Sequence, residues 1–248
     1  MTPPVFLVAT LPSSDQYVLD GPEGHHAATV RRLRPGEPVR LSDGYGGLAE
    51  CTVAGAEHDR LTLAVVRRTV LEPPRPRLVV VQALAKGDRG ELAVELLTEL
   101  GADEIVPWEA ARAVVQWRGE RGGRALARWR STAREAAKQS RRAFLPHVAE
   151  LHSTAAVGAL VGRVVAEGGA AVVLSGEAGT PLAAVPLPAG EGELVLVVGP
   201  EGGLTEGELA AFCAAGARAA RLGPTVLRTS TAGAAALAAL AARTGRWT

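Results

Sequence analysis

Three short apolar runs punctuate the chain: Leu78 to Ala85, broken only by Gln82, Ala170 to Leu174, and Leu194 to Val198. Runs this short suit strands buried on both faces better than globular helices. Glu104 to Pro107 and Ala217 to Leu222 read as two further strands. Helical patterns fall between them. Asp88 stands at a cap position before Leu92, Leu96, Leu97 and Leu100, which share a face, and Gly101 ends the helix. A second helix follows Gly122-Gly123, with Leu126, Trp129, Ala133, Ala136 and Ala137 mainly on one side. Thr205 and Glu208 form a capping box, with Leu204 and Leu209 placed as a hydrophobic staple. Ser230 or Thr231 caps a last helix, alanine and leucine on every side, which must be buried in the domain or against a partner. Strand alternating with helix argues for an α/β domain built on a parallel sheet.

The first 70 residues follow another rhythm. Val39–Ser42, Ala49–Val53 and Leu61–Val65 alternate apolar and polar positions, separated by turns at Ser42–Gly47 and Glu57–Arg60. One short helix is expected within His25 to Leu33, ended by Pro35-Gly36. Glu72-Pro-Pro-Arg-Pro-Arg77 has three prolines in four positions, which remove donors and stiffen the chain as a linker does. The expected domains are therefore 1–72, rich in β-structure, and 78–248, with Pro181 to Gly190 an irregular connection.

The candidate chemistry starts where Leu194–Val198 ends in Gly199-Pro200-Glu201-Gly202-Gly203. Three glycines leave the backbone uncovered between a buried strand and a capped helix, the setting of a small-molecule site at a strand's C-terminal end. Ser175-Gly176-Glu177 ends another buried strand. On spacing alone, a ligand turn and a plain tight connection are both open. No G-x-x-x-x-G-K-[ST] occurs, and the one G-x-G-x-x-A match, Gly44 to Ala49, follows no buried strand and opens no helix.

Composition narrows the function. Hydrophobic residues make up 47% and aromatic ones 4%, and no run approaches the ~20 apolar residues of a membrane span. The first ten residues have neither a basic leader nor a cleavage-like site, so a cytoplasmic location is expected. Cys51 and Cys213 lack metal-ligand spacing, Cys213 beside Phe212 reading as a core thiol, and His25-His26 has no third ligand, so no metal is expected. Net charge is +1, yet Arg118 to Arg142 holds nine Arg/Lys against two acids in 25 residues. Arg130, Arg134, Lys138 and Arg142 recur every four residues along one helical face. Such a stripe can be merely a solvated face, but like charges four apart destabilise a helix, and an external polyanion would offset that. We read it as an RNA contact.

Two segments together carry a resemblance. Gly199-Pro-Glu-Gly-Gly203 followed by Leu222-Gly-Pro-x-Val-Leu-Arg-Thr229 closely resembles the RsmE family of SPOUT methyltransferases. The resemblance extends to Lys86-Gly-Asp88, Glu99-Leu-Gly101 and Glu135-Ala-x-x-Gln139-Ser-x-Arg142, and weakly to His26–Glu37. It implies a C-terminal trefoil-knot domain with a parallel sheet and a small N-terminal PUA-like β-barrel that helps hold RNA. It further implies a homodimer and S-adenosyl-L-methionine (AdoMet)-dependent methylation of N3 of a uridine, uridine 1498 in the usual numbering, in 16S rRNA of the small ribosomal subunit. By the same resemblance Leu174, Gly176, Gly199, Pro200, Glu201, Gly202, Leu222, Gly223, Pro224, Val226, Leu227 and Thr229 line the cofactor site. Arg32, Lys86, Arg112, Arg134, Gln139 and Arg142 would contact RNA. The chain departs from the family pattern at Arg31, Leu96, Ala111, Lys138 and Ser230.

AdoMet carries a sulfonium, a flat adenine and a zwitterionic tail. Glycine turns can read the adenine edge while Leu174, Leu222, Val226 and Leu227 cover its faces. Uridine N3 is a poor nucleophile until its proton is lost, so positioning and a local positive group can supply most of the catalysis. Arg228 is the candidate to stabilise that anion or orient its phosphate, its alternative role being an ion pair across a dimer interface. Glu201 would balance the sulfonium or cap the following helix. A different SPOUT RNA methyltransferase and a non-catalytic RNA-binding protein are the competing readings. A nucleotide-dependent oxidoreductase lacks its fingerprint.

Overall fold

In the computed structural model residues 3–187 and 192–247 are described, so part of the Pro181–Gly190 connection lies outside the described residues. The chain divides into two compact units, one of Met1–Pro73 with Ala137–Leu145, the other of Pro74–Ala136 with Pro146–Thr248. The proline-rich segment carries no signal that residues 137–145 return to the first unit.

The first unit is a five-stranded sheet of β1 (Val5–Leu7), β2 (Gln16–Leu19), β3 (Pro38–Ser42), β4 (Gly47–Glu57) and β5 (Arg60–Val70), in the order β1-β3-β4-β5-β2. Period-two alternation explains β4, where Gly47, Ala49, Cys51 and Val53 turn inward against Phe6, Leu41, Leu61 and Leu63. β1 and β2 were not expected, being too short to show alternation. The expected helix begins earlier, as α1 (Gly21–His25), and continues as a π-helical turn, His26–Val30. Gly44 and Gly46 lie in a hairpin turn with φ of 78° and 98° and lead into a strand, so this motif binds no dinucleotide in the usual manner.

The second unit holds a six-stranded parallel sheet. Its strands are β6 (Arg77–Ala83), β7 (Glu104–Trp108), β8 (His147–Val148), β9 (Ala170–Leu174), β10 (Glu193–Val198) and β11 (Arg218–Ala220), in the order β11-β9-β10-β6-β7-β8. The helices are α2 (Arg89–Glu99), α3 (Gly119–Gln139, which runs into the segment of the first unit), α4 (Thr154–Ala166), α5 (Glu206–Ala214) and α6 (Thr229–Arg243). Both sheet faces are covered. Leu78, Val80, Leu194 and Leu196 pack with Val94 and Leu97 of α2, Trp129 of α3 and Leu237 and Leu240 of α6. Val79, Val81, Val195 and Val197 pack with Val157 and Val161 of α4 and Phe212 of α5. Strands buried on both sides explain why they read as continuous apolar runs.

Several local expectations need correction. α2 turns Gly90, Ala93, Val94, Leu97 and Thr98 to the core, whereas Leu92 is exposed. The buried face includes small residues that a count of leucines overlooks. Asp88 occupies the N-cap of α2 without a side-chain cap bond. Cys213 is exposed while its neighbour Phe212 is fully buried, because adjacent helical residues point ~100° apart. α6 begins at Thr229 with Arg228 as N-cap, earlier than the expected cap, and Ser230 is buried inside its first turn.

Candidate active site

Parallel register brings four chain segments to one edge of the sheet. Val197 of β10 pairs with Val173 of β9 and Val198 with Gln82 of β6, so Gly199 emerges beside Leu174 and Ala83. Ala220 of β11 pairs with Leu174, which carries Leu222 to the same edge. The three glycine-bearing segments at 174–176, 199–203 and 222–223 therefore meet at the C-terminal ends of adjacent strands, the position of ligands in open α/β sheets.

The turn after β10 is tethered from four sides. Thr229 Oγ1 donates to Gly199 O at 2.7 Å and accepts from Gln82 Nε2 at 2.9 Å. Gln82 Nε2 also donates to Ala83 O at 3.1 Å. No sequence motif marks Gln82 as a site residue, although a neutral polar side chain within a strand buried on both faces must find partners. Here it locks the start of α6 against the turn. Glu201 Oε1 accepts from Lys86 N at 3.2 Å and Arg89 Nη1 at 3.3 Å, which ties the turn to the segment that opens α2, while the cap of the following α5 is Thr205. Arg112 Nη1 donates to Leu204 O at 3.0 Å and Gly202 O at 3.3 Å. A Cβ at Gly202 would lie 3.1 Å from Arg112 Cβ and 3.1 Å from Arg112 O.

Arg112 is itself held by a junction that the capping-box reading contains only in part. Thr205 caps α5 and the Glu208 carboxylate reaches back to Thr205 N at 2.9 Å, as the box requires. The same carboxylate accepts from Ala111 N at 2.7 Å and Thr154 Oγ1 at 3.3 Å, and Thr154 Oγ1 accepts from Trp108 Nε1. Burial alone would raise the Glu208 carboxyl, but these hydrogen bonds to its charged form outweigh burial and hold it below its ordinary range.

Whether the edge fits a cofactor can be read from its glycines and its free backbone. Gly176 and Gly223 have no positive φ, and a Cβ at either would meet nothing within 4 Å. Neither conformation nor the chain's own packing requires glycine there, so the residue leaves room for something else. The backbone N–H and C=O groups of Gly223 to Leu227 make no hydrogen bond among the described residues. Val226 is fully exposed and Leu227 partly so, while Leu174 and Leu222 are half-buried beside the edge. Uncommitted donors and acceptors beside aliphatic surface suit a flat heteroaromatic ring with a hydrogen-bonding edge, such as adenine. Pro200 is buried under the turn. Arg228 is exposed and makes no ion pair among the described residues. It places a full positive charge at the N-terminus of a 15-residue helix, where the macrodipole already disfavours cations.

The residues expected to touch RNA separate. Lys86, Arg112 and Arg134 belong to the second unit, Lys86 and Arg112 beside the turn and Arg134 on the exposed side of α3. Arg32, Gln139 and Arg142 belong to the first. The basic stripe is partly used internally: Arg130 pairs with Glu150 at 2.8 Å and Lys138 with Glu23 at 2.8 Å.

Comparison with known proteins matches this architecture. A family model described as an RNA methyltransferase domain matches residues 72–241, and an RNA methyltransferase PUA domain model matches residues 19–66. The fold is α/β of the SPOUT type, a trefoil-knot domain on a parallel sheet with an N-terminal PUA-like domain. Ribosomal RNA small subunit methyltransferase E of Mycobacterium tuberculosis is 51% identical over 98% of this chain and 93% of that protein. The Bacillus subtilis protein of the same name is 32% identical over 92% of this chain and 90% of its own length. A crystal structure of the Neisseria gonorrhoeae protein bound to S-adenosyl methionine superimposes with a TM-score of 0.85 at 27% identity, covering 100% of both chains. The chain belongs to the RsmE family of ribosomal RNA small subunit methyltransferases.

Proposed function

We propose that this chain is an AdoMet-dependent methyltransferase that modifies N3 of a uridine in 16S rRNA, the position numbered uridine 1498 in the usual scheme. One observation carries the reading. The glycine turn after β10 and the uncommitted 223–227 segment are joined through Thr229, directly beside the unpaired Arg228.

When bound, AdoMet supplies an electrophilic methyl group on a sulfonium. Gly176, Gly199, Gly202 and Gly223 let the backbone approach it, with Leu174, Leu222, Pro224, Val226 and Leu227 as its apolar walls. Glu201 and Arg112 fix the turn, and Thr229 with Gln82 fixes its distance from α6. Arg228 and the N-terminus of α6 together present positive potential to the uridine anion. Lys86, Arg134 and, from the first unit, Arg32, Gln139 and Arg142 hold the RNA backbone. The chain acts in the cytoplasm as a homodimer.

Calorimetric titration with AdoMet tests the cofactor site, using wild type beside Gly202→Val. Wild type should bind, and the variant should lose binding because its side chain displaces Arg112. Mass-spectrometric mapping of small-subunit RNA then identifies the methylated base. A folded wild type that binds RNA and not AdoMet is a non-catalytic RNA-binding protein.

A further inference from the structure

The turn between β3 and β4 is built with more support than a hairpin needs. Ser42, fully buried, accepts from Gly44 N through its Oγ at 3.1 Å. Asp43 Oδ1 accepts from Tyr45 N at 2.7 Å and from Gly47 N at 2.9 Å. The turn is also fixed from both sides. Gly46 N donates to Ala143 O and Leu145 N to Gly44 O on one flank, and Leu71 N donates to Gly46 O on the other. Gly44 and Gly46 have positive φ, and a Cβ on Gly46 would lie 2.5 Å from the Phe144 ring. This pedestal holds a single large side chain out to solvent. Tyr45 is 82% exposed, with no ring contact and no side-chain hydrogen bond among the described residues. A soluble domain gains nothing from rigidly displaying a bare aromatic ring.

The flanking strand segment supplies charge. Tyr45 pairs with Phe144 in an isolated antiparallel bridge, and Arg141 lies three residues before Phe144. Arg141 is exposed, has no acidic partner among the described residues and adopts φ 57°, a conformation that L side chains rarely take. Among the described residues the only other non-glycine residue with positive φ is Arg32 (φ 54°), in the same unit. An exposed aromatic face on a fixed turn, with Arg141 three residues along the chain from the bridge partner Phe144, supplies the two elements by which proteins hold unpaired nucleotides, a ring that stacks on a base and a guanidinium that takes a phosphate.

We propose that Tyr45 is a stacking platform for one unpaired base of the RNA substrate, with Arg141 binding the adjoining phosphate. This rests on the reading of the chain as an RNA methyltransferase and adds a contact that reads an unstacked base outside the methyl-transfer site. The platform selects substrate RNA that offers a splayed nucleotide.

The test measures affinity of the full chain for a 12-nucleotide single-stranded RNA by fluorescence anisotropy across a salt series, with AdoMet binding measured on each preparation. Tyr45→Ala should bind ~10-fold more weakly at every salt concentration, with the salt slope and AdoMet affinity unchanged, and Tyr45→Phe should retain wild-type affinity. Arg141→Ala should instead reduce the slope of log affinity against log salt by about 0.7. A Tyr45→Ala protein that binds RNA as wild type does overturns the platform, even where AdoMet still binds. A wild type that fails to bind AdoMet but shows the Tyr45 effect overturns the methyltransferase reading and leaves the platform standing.

Discussion

Arg228 concentrates the chemistry into one side chain. A cation at a helix N-cap is a local electrostatic error unless something negative arrives, and the rest of the junction keeps Arg228 in place: Thr229, the next residue, is bonded to both Gly199 O and Gln82. Arg228→Ala should therefore lower kcat by about 100-fold, the range found on removing one preorganised charge-stabilising donor, while AdoMet affinity stays within twofold. Single-turnover methylation with calorimetry on the same protein separates the two, and a loss of AdoMet affinity equal to the loss of rate would assign Arg228 to the cofactor instead. At this scale legibility was uneven. The glycine turn and the Thr205–Glu208 box stand in the sequence because each is a local pattern. Gln82 and the outward direction of Cys213 do not, because their partners and facing depend on strands and helices distant in sequence.

Among the elements, the longest lever on the site is Glu208. One carboxylate joins the start of α5, the start of α4 through Thr154, and the 109–113 loop through Ala111 N, and that loop carries the Arg112 clamp on the glycine turn. Glu208→Ala removes the reciprocal half of the capping box, leaving the Thr205 cap itself, and strands Ala111 N, which should cost about 2 kcal/mol near neutral pH and weaken AdoMet binding through a looser turn. The pH dependence has a definite sign. Because the folded carboxyl titrates below its ordinary 4.5, its contribution is complete above that value and is lost as pH falls through the lower folded value. Urea midpoints of wild type and variant should differ near neutrality and converge in acid; a constant difference would show that the charge of Glu208 contributes nothing. The capping box was readable because it lies within four residues. Its second function was not, since Ala111 departs from the family's usual glutamate and enters through its backbone alone.

At the level of the whole molecule, the sequence displayed strands and helices but neither the strand order that brings β9, β10 and β11 together nor the knot, which depend on the path of the chain and not on local pattern. The final helix was legible as a problem. Alanine and leucine on every side predict burial, and the second unit buries only one side: Gly233, Ala236, Leu237, Leu240 and Ala241 face the core, while Thr231, Ala239 and Ala242 stay exposed. Between Thr229 and Ala242 the helix bears no charged residue at all, an unusual surface for water to face. A second copy covering the alanine face would account for it, so sedimentation equilibrium should return twice the chain mass of 25.6 kDa, and Ala239→Glu should shift the protein toward monomer without unfolding it. Because Arg228 and the cofactor-lining segment open the same helix, a dimer formed there also fixes the mouth of the site, and the monomeric variant should lose RNA methylation along with its partner. A wild type that sediments as a monomer would remove the homodimer from the proposal and leave the alanine face without a function.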